Sequence, residues 1–273
     1  MTITGKLGEY EKEQIRAINI WRTEKPTVVN TALSYVMFPI SIFLQAIVPE
    51  SAMRGAIDGT SAAAEWLADE GDILRKGEVS DIDVLKSKGL LLSDQLANEI
   101  HNWAIGIASA EGAGLGMLGI YGLALDIPFI LTFALRTIHK IGLCYGYKTK
   151  DEKNKHFVLA ILSAAGANTA NEKAEAVKIL RAIDVMVAKQ TLKVVAEKAA
   201  QRQLGKEAVL ISMKNLGRQL GINISERKVL QAIPAIGAFV GGSVNAWFIK
   251  DVGWAARRAF QERWLIENSM IEV

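Results

Sequence analysis

The residues able to do chemistry are few, and their spacing decides what each could do. Residues 114–119 read GLGMLG and match GxGxxG, a pattern that cradles a pyrophosphate only when a strand precedes it and an acidic residue follows about twenty positions on. Here the preceding WAIGIASAE, 103–111, has the character of a helix, and the residue twenty past Gly119 is His139. A nucleotide site is therefore not expected. Gly112, Gly116 and Gly119 instead form a small-residue face against which another helix backbone can pack closely, and Gly241 and Gly242 are expected to serve the same purpose.

Asp126, Ile127 and Pro128 interrupt the next apolar run. An Asp suits the start of a helix, where its carboxylate accepts backbone N–H bonds, and Pro is tolerated in a first helical turn. On that reading residues 104–143 form a helical hairpin with its turn near Asp126. The other reading makes Asp126 an ionisable group at a polar site, paired with Arg136 across the turn or set beside Glu111.

His101, His139 and His156 share no metal-ligand spacing, and Cys144 is the single cysteine. Neither a disulfide nor a thiolate metal cluster can form within the chain, which suits a reducing compartment. His139 and Cys144 would fall on different faces of a helix, with no third residue evident to complete a thiol-protease set. GxSxG, HExxH and the P-loop are missing from the sequence. No metal or cofactor is expected, and a non-catalytic protein is favoured over an enzyme.

The elements that would carry these residues are helices. Ser80 with Asp83, Thr149 with Glu152, Thr169 with Glu172 and Asn223 with Glu226 have capping-box spacing. Over 172–203, Val177, Leu180, Ile183 and Val187 begin an apolar stripe at helical spacing among Lys, Arg and Glu. Alternating strand patterns are absent. The fold class expected is all-α, a multi-helix bundle around the Gly-rich apolar hairpin, in a single domain over 1–273 whose first 20 residues are a polar helix or arm.

Half of the 273 residues are hydrophobic and 22 % are charged, with a mean hydropathy of +0.19. These proportions exclude disorder. The formal net charge of +3 conceals a partition: by count, residues 1–49 carry about +1, 50–126 about −8 and 127–273 about +10. The acidic and basic parts could pair within the molecule, or the basic part could face an anionic surface. With no zinc-finger spacing, RRM-like motif or dense Arg/Lys cluster, nucleic acid is not the expected partner.

Three stretches point to lipid instead. Residues 26–49 and 229–249 carry no charge, and 112–135 carries only Asp126. Their length approaches the roughly 20 residues of a bilayer span, and Trp21, Trp103, Trp247 and Trp254 flank them, as indoles do at headgroup level. Pro39, Asp126, Pro128 and the glycines weaken them as spans, since a mid-bilayer charge costs about 2.5–3.5 kcal/mol. Spanning, interfacial insertion and burial in a protein core all remain open. A C-terminal helix over 243–267 carries Trp247, Trp254 and Trp264 among Arg257 and Arg258, suited either to core packing or to anionic headgroups.

The run GLGMLGIYGLALDIPFILTFALRTIHKIGLCYGY over 114–147 and the run AIPAIGAFVGGSVNAWFIKDVGWAARRAF over 232–260 resemble the EcsC family, bacterial proteins named after a product encoded beside an ABC transporter. The resemblance extends from about Trp21 onward and is carried by Asp126, Pro128, Arg136, Gly142, Tyr145, Gly146, Gly241, Gly242 and Asn245. It departs at the uncharged 26–49 segment, which is more amphipathic in the family and so implies firmer membrane contact here. The resemblance implies a link to membranes and no established reaction. The expectation is a non-catalytic accessory protein on the cytoplasmic face of the inner membrane, peripheral or partly inserted, with anionic membrane lipid or a membrane protein complex as partner. A lipid or acyl-chain binding protein is the alternative, with Asp126 and Arg136 as its polar lock. A lipid-acting hydrolase using Asp126 or Glu111 as base is the third.

Overall fold

The computed structural model describes residues 2–24, 70–116, 120–149, 152–167, 170–188 and 234–272; over 111–116, 120–129 and 234–245 it describes the helical backbone alone. The described residues form an all-α bundle. Its helices are α1 (Glu9–Thr23), α2 (Gly71–Gly77), α3 (Leu90–Gly116), α4 (Ile120–Cys144), α5 (Glu152–Ala165), α6 (Ala170–Ala188) and α7 (Pro234–Glu267), with a 3-10 helix over Ile82–Ser87 before α3. A two-residue antiparallel ribbon, Thr2 with Glu272 and Ile3 with Ile271, ties the two ends of the chain together. The uncharged stretch 26–49, the second half of the 172–203 stripe and the Asn223 box lie outside the described residues.

α7 is the axis of the bundle. At 34 residues it is about 51 Å long at 1.5 Å per residue, and from Phe248 to Leu265 much of its surface is covered by neighbours. It begins at Pro234, nine positions before the start expected from sequence, because proline suits a first turn whose N–H has no helical partner. α3 lies antiparallel to it: Asp94 meets Gln261, Asn98 meets Arg257 and His101 meets Lys250. α6 buries Val177, Leu180 and Ile183, the beginning of the expected stripe.

α3 and α4 form the expected hairpin, but α3 ends at Gly116 and α4 has already begun at Ile120, so Asp126 lies within a helix and not at a turn. α4 continues as helix through Asp126 and Pro128. The glycines explain where the break falls, since each costs a helix about 1 kcal/mol relative to alanine and Gly114, Gly116 and Gly119 cluster there. The capping expectations also shift. Asp81, not Ser80, caps the 3-10 helix, its carboxylate accepting the Asp83 N–H at 2.9 Å. Thr149 is buried and its hydroxyl is taken by His139 Nδ1.

The core centres on Phe260, flanked by Tyr145 and Tyr147 with ring centroids at 6.2 and 5.6 Å and by Phe157 at 5.3 Å. Gly142 allows that ring in, since a Cβ there would lie 2.8 Å from Phe260 Cζ. Gly146, at φ +87°, turns the chain out of α4 in a conformation that L side chains resist. By the helix registers, the distal half of the hairpin and the first half of α7 run toward the same end of the bundle. Among the described residues the helices at that end carry only Glu111 and Asp126 as charges, whereas the described ion pairs lie toward the opposite end.

Candidate functional site

Three polar assemblies are built around α7. The first centres on Asp94, 3 % exposed. Its Oδ2 accepts the Tyr10 hydroxyl at 2.7 Å, and its Oδ1 accepts Gln261 Nε2 at 2.7 Å as well as the Tyr145 hydroxyl. Burial, reinforced by the carboxylate, pushes both phenols above their ordinary range. They stay protonated and donate, so the arrangement clamps α1, α3 and α7 together and offers no base.

The second is a buried ion network. Arg22 of α1 pairs with Glu262 of α7, and Arg181 of α6 approaches the same carboxylate at 3.6 Å. Arg263 reaches Glu267 at 3.0 Å, Asp184 at 4.0 Å and the Asn154 side-chain oxygen at 2.7 Å. Burial pulls Arg22 down to about 10 and pushes Asp184 up to about 8.

The third is a cavity of about 380 Å³ between α1, α5, α6 and α7. α1 contributes Ile20, Trp21 and Glu24, and the end of α5 gives a floor of Ala164 and Ala165. Lys173 enters from α6, its Nζ 5.0 Å from the Trp21 ring centroid and donating to the Glu24 carbonyl oxygen at 3.2 Å. α7 presents Trp247, Lys250, Asp251, Trp254 and Arg258 along one stripe, spaced so that successive turns face the same way. Burial pushes Asp251 up to about 6 and pulls Arg258 and Lys173 down. The three indoles and mixed charges equip this space to bind a ligand.

Among the described residues no group of three or more His, Cys, Asp or Glu could hold a metal ion. Cys144 is fully buried, donates to the Lys140 carbonyl oxygen at 3.3 Å and has its thiol pushed up by burial, so it is not poised as a nucleophile.

A model of the EcsC protein family matches residues 12–265. The chain belongs to the EcsC protein family. Two relatives from Bacillus subtilis (strain 168) are similar to this EcsC-family chain. Uncharacterized protein YdbA is 24 % identical over 211 residues, 75 % of this chain and 72 % of YdbA. Protein EcsC is 24 % identical over 163 residues, 60 % of each chain. No solved structure matches.

The residues that carry the family resemblance are scattered through the fold. Asp126 and Arg136 do not meet across a turn: both lie on α4, ten residues and about 15 Å of helical rise apart, too far for an ion pair. Arg136 instead stacks its guanidinium 5.1 Å from the Trp103 ring centroid. The Trp103 and Phe133 rings, 6.1 Å apart, set a hairpin register that brings the backbones of Glu111 and Asp126 level with each other. Gly112 and Gly116 lie in α3, and Gly241 and Gly242 in α7; Gly119 falls outside the described residues. Among the described glycines, Gly142, Gly146 and Gly253 admit neighbours that a Cβ would meet within 3 Å, and none of the three was assigned to packing from the sequence.

The expected interface residues divide. Trp247, Trp254 and Arg258 line the cavity. Trp264 is 3 % exposed and Arg257 8 %, the latter donating to Asn98 at 2.9 Å and lying 4.5 Å from the Trp254 ring centroid. Those two cannot reach a headgroup in this fold, because α7 is enclosed by α3, α4 and α5 at their level. Sequence reasoning missed Lys173 and Asp251 and placed Trp21 only beside an apolar stretch, since the three lie 78 residues or more apart between helices and no local spacing marks their convergence.

The titrations of these buried groups make stability depend on pH. Burial holds His101 and His139 down at about 4, below the unfolded value of about 6.5. Each contributes stability that is present above pH 6.5 and lost as pH falls through 4. Asp184 acts oppositely, contributing stability present below pH 3.8 and lost as pH rises through about 8. Urea midpoints should therefore fall between pH 6.5 and 8 in the wild type, and Asp184→Asn should flatten that fall. His139→Gln should shrink the acid-side loss; unchanged profiles in both variants would refute the assignment.

Proposed function

We propose that this EcsC-family protein is a membrane-associated accessory protein that docks on the cytoplasmic membrane face through the charge-poor end of its bundle. The carrying observation is on α3, where Trp103 and Ile107 are 51 % and 37 % exposed one helical turn apart. No charged residue lies on α3 between Glu99 and Glu111. Arg136 against the Trp103 ring adds a cation beside the exposed indole, a pairing suited to an anionic headgroup layer. Scattered exposed apolar residues need no explanation, but a Trp and an Ile on one uncharged ridge, leading into a hairpin end whose described helices carry only Glu111 and Asp126 as charges, do. Among the described residues no helix is long and apolar enough to cross a membrane, and the contact proposed for this surface is interfacial.

Flotation of the full chain with phosphatidylglycerol-containing vesicles tests the reading. The wild type should float at low salt, and Trp103→Ser with Ile107→Glu should cut the floated fraction about tenfold without lowering the melting temperature. A wild type that stays at the bottom of the gradient, or a double variant that floats equally well, would overturn it.

A further inference from the structure

We infer that the cavity between α1, α5, α6 and α7 binds a small zwitterion, an ammonium group joined to an oxyanion in the manner of phosphoethanolamine. Its volume, about 380 Å³, is at the small end of ligand pockets, which run from roughly 300 to 1,000 Å³. That suits one compact molecule or one headgroup.

The charges around the cavity attract one another without closing into ion pairs. Lys173, Lys250 and Arg258 face the cavity together with Glu24 and Asp251, yet among the described residues none of the five forms an ion pair. Lys173, only 6 % exposed, spends its ammonium on a backbone carbonyl and an indole face. Arg258 is half-buried and donates to two neutral amide oxygens, Gln14 at 2.9 Å and Gln261 at 2.7 Å. Glu24 and Lys250 are exposed and keep their water, but Lys173 is buried and Asp251 and Arg258 are partly so, and charges taken out of water ordinarily close into pairs because each unpaired charge is costly to desolvate. Here they are held apart around an open space. A ligand of one sign would satisfy one set and be repelled by the other, whereas a zwitterion satisfies both.

The chemistry also orients it. Trp247 and Asp251 are one turn apart on α7, and Trp247 is the lining indole with no ring or cation against it among the described residues. An indole face with a neighbouring carboxylate is a receptor for an alkylammonium. Arg258 and Lys173 supply charge-assisted donors for the oxyanion. Burial pushes Asp251 up and pulls Lys173 and Arg258 down, outweighing the attraction of Lys250 and Lys173 for Asp251 and of Glu24 and Asp251 for Lys173, the direction expected where neighbouring charges offset desolvation only in part. The site does not depend on membrane docking, since none of its residues belongs to the α3–α4 hairpin.

Calorimetric titration of the full chain with phosphoethanolamine, phosphocholine, ethanolamine and inorganic phosphate tests the inference. Both zwitterions should bind at least tenfold tighter than ethanolamine or phosphate alone. Asp251→Asn, nearly isosteric, and Trp247→Leu should each weaken the zwitterions at least tenfold while circular dichroism and melting stay as in the wild type. The hairpin variant Trp103→Ser with Ile107→Glu should titrate normally, which separates this site from the docking surface. Vesicles distinguish the source: capture on phosphatidylethanolamine that needs Asp251 and is competed by soluble phosphoethanolamine identifies a lipid headgroup, and soluble binding without such capture identifies a free zwitterion. Equal affinity for either half-molecule, no effect of Asp251→Asn and Trp247→Leu, or no binding by any probe in solution or on vesicles would overturn the inference.

Discussion

Glu262→Gln should cost the fold about 3–5 kcal/mol, the loss typical of removing one partner from a buried ion pair. The side chains of Arg22 and Glu262 are 7 % and 5 % exposed, and burial already pulls the Arg22 guanidinium down to about 10. Glutamine keeps the shape and removes the charge, so the buried Arg22 loses the Glu262 carboxylate and Arg181 loses the same carboxylate at 3.6 Å. The comparison that isolates the pair is Arg22→Met with Glu262→Leu. Replacing both charges with packed apolar groups should recover most of the loss, because neither is then left desolvated alone. Urea unfolding of Glu262→Gln and of the Arg22→Met, Glu262→Leu double variant measures this. A Glu262→Gln protein within 1 kcal/mol of wild type would show that water reaches the pair and that α1, α6 and α7 are joined by something else.

The second large effect is expected from a single methyl group. Gly253 lies on α7 where α3 crosses it, and a Cβ there would fall on the imidazole of His101. The ring cannot simply swing aside. Its Nε2 is hydrogen-bonded to the Lys250 carbonyl oxygen at 3.0 Å, and its edge packs on Trp254 with centroids 5.5 Å apart. Gly253→Ala should therefore destabilise by about 1–3 kcal/mol, the usual range for overpacking a core, despite alanine being the better helix former. His101→Ala should relieve the clash, so the double variant should be more stable than the sum of the single losses predicts. Additive losses in thermal melts would mean that the two residues do not touch. Because Trp254 lines the cavity, Gly253→Ala should also perturb zwitterion binding, whereas Glu262→Gln should affect stability alone.

These two sites illustrate why the chain was legible in some respects and opaque in others. Glu262 reads in the sequence as one more polar residue in a basic amphipathic helix, and Gly253 as a minor weakness in it. Their importance arises from partners 240 and 152 residues away along the chain. The hairpin is an intermediate case. Its existence followed from two apolar runs separated by a breaker, but two breakers were available, and the clustered glycines interrupted the helix while Asp126 and Pro128 did not. With Asp126 inside a helix, the Asp126 to Arg136 pairing that depended on a turn there was no longer possible, and Arg136 was left to stack on Trp103.

The sequence by itself determined the all-α class, because helical periodicity and capping are local properties, and it determined the partition between uncharged and charged stretches, because composition does not depend on folding. Its two apolar runs with their closing basic helix also carried the EcsC resemblance that the match over residues 12–265 established. Tertiary structure alone decided which indoles face outward. Trp103 is half-exposed, Trp247 and Trp254 line a cavity, and Trp264 is enclosed, although all four stand beside apolar residues in sequence. A helix surrounded on most sides has no polar face to reveal its orientation, and the neighbours that cover α7 come from distant parts of the chain. The same reason hid the cavity, whose charges become a site only when α1, α6 and α7 bring them to one space without letting them pair.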